Sequence, residues 1–531
     1  MDPRDIVLDK YSSKVYKNRK EHVITINEGE PNVIQADTRT VPGIMTNRGC
    51  CYAGCKGVVI GPLKDVATIT HGPIGCGFYS WGTRRNKAKG DENTKAFGEY
   101  CLSTDMQETD IVFGGEKKLK QAIKEAVEIF HPECIAIAST CPVGLIGDDI
   151  HAIAAEAEEL YGIKVLAFSC EGYKGVSQSG GHHIANNGLM KNVIGTGDAE
   201  PIKYSVNLLG EYNIGGDGWE TERILKRIGY HVVSVMTGDG SYDAIKNSHT
   251  ADLNLVQCHR SINYIAEMMK TKYGVDWMKI NFIGPEATKK SLRDMARYFN
   301  DPELSRRTEA VIAEEEAAIA EGMASCKAVL AGKTAAIYVG GSRSHHYINL
   351  LKSLGVEVVL AGYEFGHRDD YEGREVLDTI KKDADSKNIE SITVTKDPDH
   401  YKERLSEQEL MALRAAGVPM EEYSGMWEDI MDGAIITDDY NHFETEEFLK
   451  YLKPDIFFSG IKDKFVIQRS GVASRQLHSY DYAGPYAGFK GALNFANDVA
   501  MAITVPVWDM VQAPWKKEPL LEGSLGGMES C

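Results

Sequence analysis

Apolar positions along the chain repeat one unit: a short β-branched or apolar run, a glycine-rich or polar turn, then a stretch with an apolar residue every three to four positions. Runs at 134–138, 164–169, 231–236, 252–256, 279–283, 334–339, 356–360 and 455–458 predict strands. The stretches 116–130, 218–230 and 345–355 predict amphipathic helices, and a long charged helix begins near Ser305. Strand alternating with helix means parallel pairing through right-handed crossovers. The strands are too many for one sheet. The expected fold class is therefore α/β, with three αβα domains, mainly parallel sheets and a ligand pocket between the domains. Breaks near 200–204 and 330–333 set the domains at 1–204, 205–332 and 333–531. Residues 373–431 interrupt the rhythm with a polar, Lys- and Asp-rich stretch, expected as an insertion on the surface of the third domain.

In parallel sheets of this kind, ligands bind beyond the carboxyl ends of the strands. The residues predicted there are Cys141, Cys258, Gly340 to Arg343, Glu364 with Phe365, and Lys462. That set of thiols, cations and a carboxylate is itself a site prediction. At 531 residues, 43% hydrophobic and 26% charged, the composition is globular, and the length exceeds what one core fills. A net charge of −18 argues against a nucleic-acid partner, which would show a basic patch. No apolar run reaches the roughly 18 residues that would span a bilayer. The first residues are basic but lack the apolar stretch of a secretory signal, so a soluble, cytoplasmic protein is expected. Its eleven cysteines are an odd number, and a reducing compartment disfavours a disulfide framework. The thiols are then buried small hydrophobes, metal ligands or redox groups.

Individual motifs are weak. The chain has no G-x-x-x-x-G-K-[ST] phosphate loop, and Gly238 to Asp243 lacks the third glycine of a dinucleotide fingerprint. The cluster Cys50, Cys51, Cys55 has Val58 where a radical-SAM loop would need a further Cys. Cys76 follows a Gly-Pro turn, and three cysteines in loops at 50, 76 and 141 favour iron–sulfur ligation over core packing. Cys134 on a strand and Cys326 on a helix read as core thiols, while Cys101 and Cys170 stay open. Gln178, His182 and His183 lie among glycines, as a ligand-facing loop requires, and His478 sits among aromatics beside a carboxylate. Either histidine alone is more readily structural.

Taken together, the segments TNRGC ending at Cys50, HGPIGC ending at Cys76, STCPVGLIGDD around Cys141, NLVQCHRSINY around Cys258 and LHSYDY around His478 resemble, in order and spacing, the α-chain family of molybdenum–iron nitrogenase. The likeness runs from about 41 to 515. It implies an enzyme that reduces dinitrogen to ammonia and protons to hydrogen. It implies that Cys50, Cys76 and Cys141 bind a P-cluster (8Fe-7S) shared with a β chain. It also implies that Cys258 and His478 hold the two ends of an iron–molybdenum cofactor carrying homocitrate. By the same resemblance, Val58, Arg84, Gln178, His182, Arg343 and Phe365 line the cofactor, with Ser261, Gly340 and Gly341 against it. Lys462, Gln178 and Glu364 would contact homocitrate, and His182, Gln178, Val58 and Arg84 would act at the reacting face. Val58 would act sterically, His182 as a proton donor, and Arg84 and Arg343 as cations that keep their charge beside an anionic cluster.

The partners implied are a β chain in an α2β2 assembly and an iron-protein homodimer that hydrolyses ATP and docks transiently near 110–115 and 147–149. Cys51 and Cys55 are extra thiols beside Cys50, and Ser342 and Ser344 to His346 depart from the commoner form of that loop. The insertion resembles that of the clostridial and methanogen branch. Arg343 favours molybdenum over the vanadium and iron-only relatives. A cofactor-assembly scaffold, or a protochlorophyllide reductase subunit, would share the fold and some cysteines. The joint presence of Gln178, His182, Cys258 and His478 favours the enzyme.

Overall fold

The computed structural model describes residues 2–511 apart from 28, 30–31, 37–43, 45–48, 83–86, 91–95, 176–177, 341–342, 365–370, 372–388, 390–391, 423–424, 440 and 461–462. The described strands are β1 (Val23–Thr25), β2 (Val66–His71), β3 (Leu102–Ser103), β4 (Cys134–Ser139), β5 (Lys164–Phe168), β6 (Ser205–Glu211), β7 (His231–Thr237), β8 (Leu253–Val256), β9 (Asp276–Lys279), β10 (Thr334–Val339), β11 (Glu357–Tyr363), β12 (Ile435–Asp438), β13 (Ile456–Ser459) and β14 (Ala473–Gln476). They form three sheets, in the orders β3-β2-β4-β5, β7-β6-β8-β9 and β1-β12-β11-β10-β13-β14. Every pairing is parallel except β1 with β12. The mixed α/β class with mainly parallel sheets is as expected.

Helices cover the sheets because their apolar stripes have nowhere else to go. Helix Glu116–Phe130 buries Leu119, Ile123 and Ala126, at the three- and four-residue spacing of one helical face, and ends on a left-handed His131. Central strands such as β2 and β4 are buried along their whole length, as strands covered on both faces must be. The expected strand at 279–283 is displaced: β9 is Asp276–Lys279, and 280–283 lead out of it. Its buried Asp276, bonded by the Tyr298 hydroxyl at 3.0 Å, disguises the strand as a polar segment.

Two regions pack differently from the sequence expectation. Residues 3–25, placed there with the first domain, lie on the third sheet, where β1 forms its antiparallel edge. The described part of the 373–431 insertion is not confined to the third domain's surface. Met420 bridges to Met278 of β9, and the Arg404 guanidinium donates to the carbonyls of His249 (2.9 Å) and Ala251 (3.0 Å) beside the second sheet. Leu410, Val418 and Met420 are buried there, so this stretch closes the second sheet's edge.

The N-terminal segment is anchored by a buried ion pair. Arg19 meets Glu444 through two bonds of 2.8 Å, and both side chains are essentially inaccessible. Removing one partner of such a pair strands the other charge, at a cost of about 3–5 kcal/mol. Arg19→Met should therefore lower the thermal unfolding midpoint by several degrees, and pairing it with Glu444→Gln should restore much of the loss, both read by calorimetry. Equal destabilisation in single and double variants would contradict this.

Candidate functional site

The first sheet builds a face of thiols. β2 and β4 run in register to His71 opposite Ser139, so their carboxyl ends lie side by side and release two loops in the same direction. The Thr140 N–H and hydroxyl both donate to the His71 carbonyl, at 3.1 and 2.9 Å, tying those loops together. Cys76 lies in the first turn of the helix Ile74–Gly82 after one and Cys141 opens the helix Cys141–Ile146 after the other, so both stand at helix starts rather than in the loops expected from the sequence. Cys50 arrives from a third direction, ahead of a π-helix, Ala53–Ile60. Cys76 lies close enough to Cys50 and Cys141 for both thiols to act on its own, and those two meet at Gly172. A Cβ there would lie 3.0 Å from the Cys141 sulfur and 3.4 Å from the Cys50 sulfur, so only glycine leaves the space between them open. Burial raises the Cys76 thiol pKa, and the neighbouring Cys50 and Cys141 thiols raise it further. Tyr52, whose hydroxyl bonds to Thr70, Ser80 and the Cys76 carbonyl, fixes the back of the Cys76 segment.

Cys50 and Cys141 are exposed and Cys76 half-buried, whereas Cys51, Cys55 and Cys170 are buried behind them. Cys170 contacts Cys55, and burial holds its thiol well above its ordinary pKa. Cys134 and Cys326 are core thiols, as expected. Among the described residues no three Cys, His, Asp or Glu side chains close around a single metal ion. The thiol face therefore suits a group large enough to touch several separated sulfurs. Exposed apolar side chains occur on the same elements: Ile74, Phe78, Tyr79 and Trp81 on the helix that carries Cys76, Leu145 on the helix that Cys141 opens, and Phe113 on the helix Glu108–Phe113 packed against it. Apolar surface beside incomplete ligation marks an interface.

A second site forms where the other two sheets end. β11, β10, β13 and β14 are adjacent, and their carboxyl ends deliver Glu364, Gly340, Gly460 and His478 to one place. The Gly340 N–H donates to His478 Nε2 at 3.3 Å, and Glu364 Oε2 lies 3.6 Å from the same nitrogen. A Cβ on Gly460 would sit 2.1 Å from Glu364 and 3.2 Å from His478 Nδ1. From the second sheet, Cys258 follows β8 and precedes the helix His259–Tyr273. Gly210, at positive φ on neighbouring β6, lets Cys258 approach, since a Cβ there would meet its backbone at 2.8 Å.

Gln178 and His182 are buried on the helix Gln178–Asn192. Gln178 reaches toward the thiol face, with Oε1 2.6 Å from where a Gly49 Cβ would be. Val58, on the π-helix, accepts from the Thr237 hydroxyl through its carbonyl at 3.5 Å and packs against the cores of both the first and second sheets.

Arg343 begins the helix Arg343–Ser353 and crosses to the second sheet. It donates to the Tyr480 hydroxyl and lies 3.9 Å from Asp217, with Glu211 also within its field. Burial and the Asp217 carboxylate push Glu211 up to about 7, although Arg343 draws it down. The sequence reading missed Glu211, Asp217, Tyr347 and Tyr480. The only local signal was Gly215-Gly216-Asp217 at a helix start, which reads as an ordinary terminus. Arg84, Gly341, Phe365 and Lys462 lie outside the described residues. Ser261 lies on the helix after Cys258, with its side chain outside the described set.

A family model described as nitrogenase component 1 type oxidoreductase matches residues 50–504. The chain is 60% identical over 516 residues to a nitrogenase molybdenum-iron protein alpha chain of Clostridium pasteurianum, covering 97% of each. It is 53% identical over 515 residues to the corresponding chain of Methanosarcina barkeri, covering 97% of this chain and 96% of that one. A solved structure, nitrogenase Cp1 at pH 6.5, superposes with a TM-score of 0.94 at 60% identity, over 97% of this chain and 100% of that one.

Glu211 gives this region a pH signature. Between its ordinary value of 4.5 and about 7, the folded chain keeps a proton that the unfolded chain has released, so stability falls as pH rises through that window. Glu211→Gln should flatten the melting temperature between pH 5 and about 7 and raise it above pH 7 relative to the parent. An unchanged pH profile would place the titration elsewhere.

Proposed function

Because the chain belongs to the nitrogenase component 1 type oxidoreductases, we propose that its thiol face binds the P-cluster through Cys50, Cys76 and Cys141, and that Cys258 and His478 hold the iron–molybdenum cofactor. The chain is the α subunit of a molybdenum nitrogenase, an enzyme that reduces dinitrogen to ammonia and evolves hydrogen. It assembles with a β chain as α2β2 and receives electrons from an iron protein, on which the ATP is hydrolysed. The observation that carries this reading is the whole-length likeness to molybdenum–iron α chains, 60% identical over 97% of the chain.

The donor chemistry fits both groups. Cys50 and Cys141 facing one another across a glycine, with Cys76 nearby, leave room for a cluster, and the exposure of Cys50 and Cys141 lets the β chain supply the remaining ligands. A soft thiolate at Cys258 and an imidazole at His478 suit the iron and molybdenum ends of one cofactor. When bound, the P-cluster supplies electron transfer and the iron–molybdenum cofactor supplies multi-electron reduction of dinitrogen and protons. This chain's residues do the rest. Glu364 and the Gly340 N–H, both on His478 Nε2, set the ring's orientation. Arg343 contributes a cation that does not deprotonate. His182 holds a proton for transfer to substrate, Gln178 orients the homocitrate side together with Glu364 and Lys462, and Val58 limits access to one face. Arg84, Phe365, Ser261 and Gly341 complete the lining on the strength of the family resemblance. Among the described residues no helix is long and apolar enough to cross a membrane, and no disulfide forms. Free thiols, which a reducing compartment maintains, support reading it as a cytoplasmic enzyme.

Anaerobic purification with the β chain, followed by metal analysis, tests the reading. Abundant iron with about one molybdenum per αβ pair is expected. Iron without molybdenum or vanadium would remove the role given to His478. Cys258→Ala should lose molybdenum while keeping the iron bound at the thiol face, and full molybdenum content would sink that assignment. His182→Gln should lower dinitrogen reduction by about 10²-fold, the scale of a positioned proton donor, while proton reduction falls far less. Equal loss of both activities would count against its role.

A further inference from the structure

Cys258 and His478 come from different sheets and are more than two hundred residues apart in the chain. Their relative position must be set by contacts between the two units, and one group of those contacts is built around a single buried carboxylate. Asp217 opens the helix Asp217–Ile228 of the second unit and is 1% exposed. Its Oδ1 accepts the N–H groups of Tyr486 at 2.7 Å and Ala487 at 2.9 Å, and its Oδ2 accepts the Tyr480 hydroxyl. Arg343 lies 3.9 Å from Oδ2 and donates to the same Tyr480 hydroxyl, which also receives the hydroxyl of Tyr347 at 2.7 Å. One buried anion thus gathers both ends of the loop after His478 and the cation that begins helix Arg343–Ser353.

That loop needs holding. Tyr480, Asp481 and Tyr482 take φ of +51°, +52° and +65° in succession, a left-handed run that residues with side chains adopt only when surroundings enforce it. The loop also sits tight on the second unit: a Cβ on Gly215 would lie 2.6 Å from the Ala483 carbonyl and 2.6 Å from the Tyr480 ring. We propose that Asp217 is a positioning residue that fixes the His478 loop and Arg343 against the Cys258-bearing unit, and so sets the span of the cofactor site. This rests on Cys258 and His478 being the cofactor's ligands.

The test uses the complete αβ complex with Asp217→Asn, which preserves volume but removes the charge and turns a donor toward Tyr480, and with Tyr480→Phe, which removes only the hydroxyl link. Hydrogen exchange in the metal-free complex should rise by about tenfold or more at the Tyr486 and Ala487 amides in Asp217→Asn. In the anaerobically isolated protein, molybdenum should drop below about half of the parent level, or the electron paramagnetic resonance spectrum of the retained cofactor should shift, with iron at the thiol face unchanged. Faster exchange together with parental molybdenum and a parental spectrum overturns the proposal. Should Asp217→Asn not fold, Tyr480→Phe decides: a shifted spectrum at an unchanged melting temperature supports the proposal, and an unshifted one overturns it. His478→Ala separates the two layers, because full molybdenum there would sink the ligand assignment itself, and this proposal with it.

Discussion

The contact on which both sites depend is a seam of backbone on backbone. Helix Gln178–Asn192 lies against the π-helix Ala53–Ile60 so closely that a Cβ on Gly54 would fall 1.8 Å from the Gln178 carbonyl oxygen. One on Gly181 would fall 1.9 Å from the Cys51 carbonyl. No side chain fits on either side, so only glycine permits the approach. The seam fixes what it carries. Cys50 leads into one wall, Gln178 and His182 stand on the other, and Val58 closes the π-helix end. A π-helix widens the turn, as in the Gly61 N–H bonding to the Lys56 carbonyl at 2.9 Å, and such turns recur where side chains must be aimed away from a regular helix face. Cys50 on one side and Gln178 with His182 on the other are therefore carried by one tight joint.

Much of the fold was legible because apolar spacing alone reports it. Helix Glu116–Phe130 and strands β4, β5 and β10 follow the period of their apolar residues almost to the residue. Several of the elements that escaped have a polar interior. Strand β6 buries Ser205 and Asn207, and the Asn207 amide donates to Asn254 Oδ1 and to the Ser248 carbonyl, each at 2.8 Å, while its oxygen accepts from the Ser234 hydroxyl. Such a ladder across β7, β6 and β8 reads as surface until its partners are known, because a buried polar group is tolerated only when paired. Strand β14, with Ser474 and Arg475, and β9, with Asp276, hid for the same reason.

The site divides along the same line. Cys50, Cys76, Cys141 and Cys258 drew attention by residue type and predicted position, whereas His478 entered only through the order of the motifs. Glu364 was placed by its strand, but its contact with His478 depends on strand order, which a sequence does not display. Glu211, Asp217, Tyr347 and Tyr480 were invisible. Each is an ordinary residue in its own segment, and together they become a charged core only when two units meet. Arg19 with Glu444 makes the same point at the N-terminus, where a basic residue in a polar stretch turns out to be buried 425 positions from its partner.

The paired cysteines at 50 and 51 show how little separates an exposed thiol from a packing group. Cys50 precedes the first helical turn and its sulfur faces outward with that of Cys141. Cys51, one residue on, is rotated into the core with Cys55, and Cys55 meets Cys170. The inner thiols lie against apolar side chains, and burial disfavours the charged thiolate at Cys170. The turn of backbone between Cys50 and Cys51 decides which sulfur reaches the open face and which packs inside.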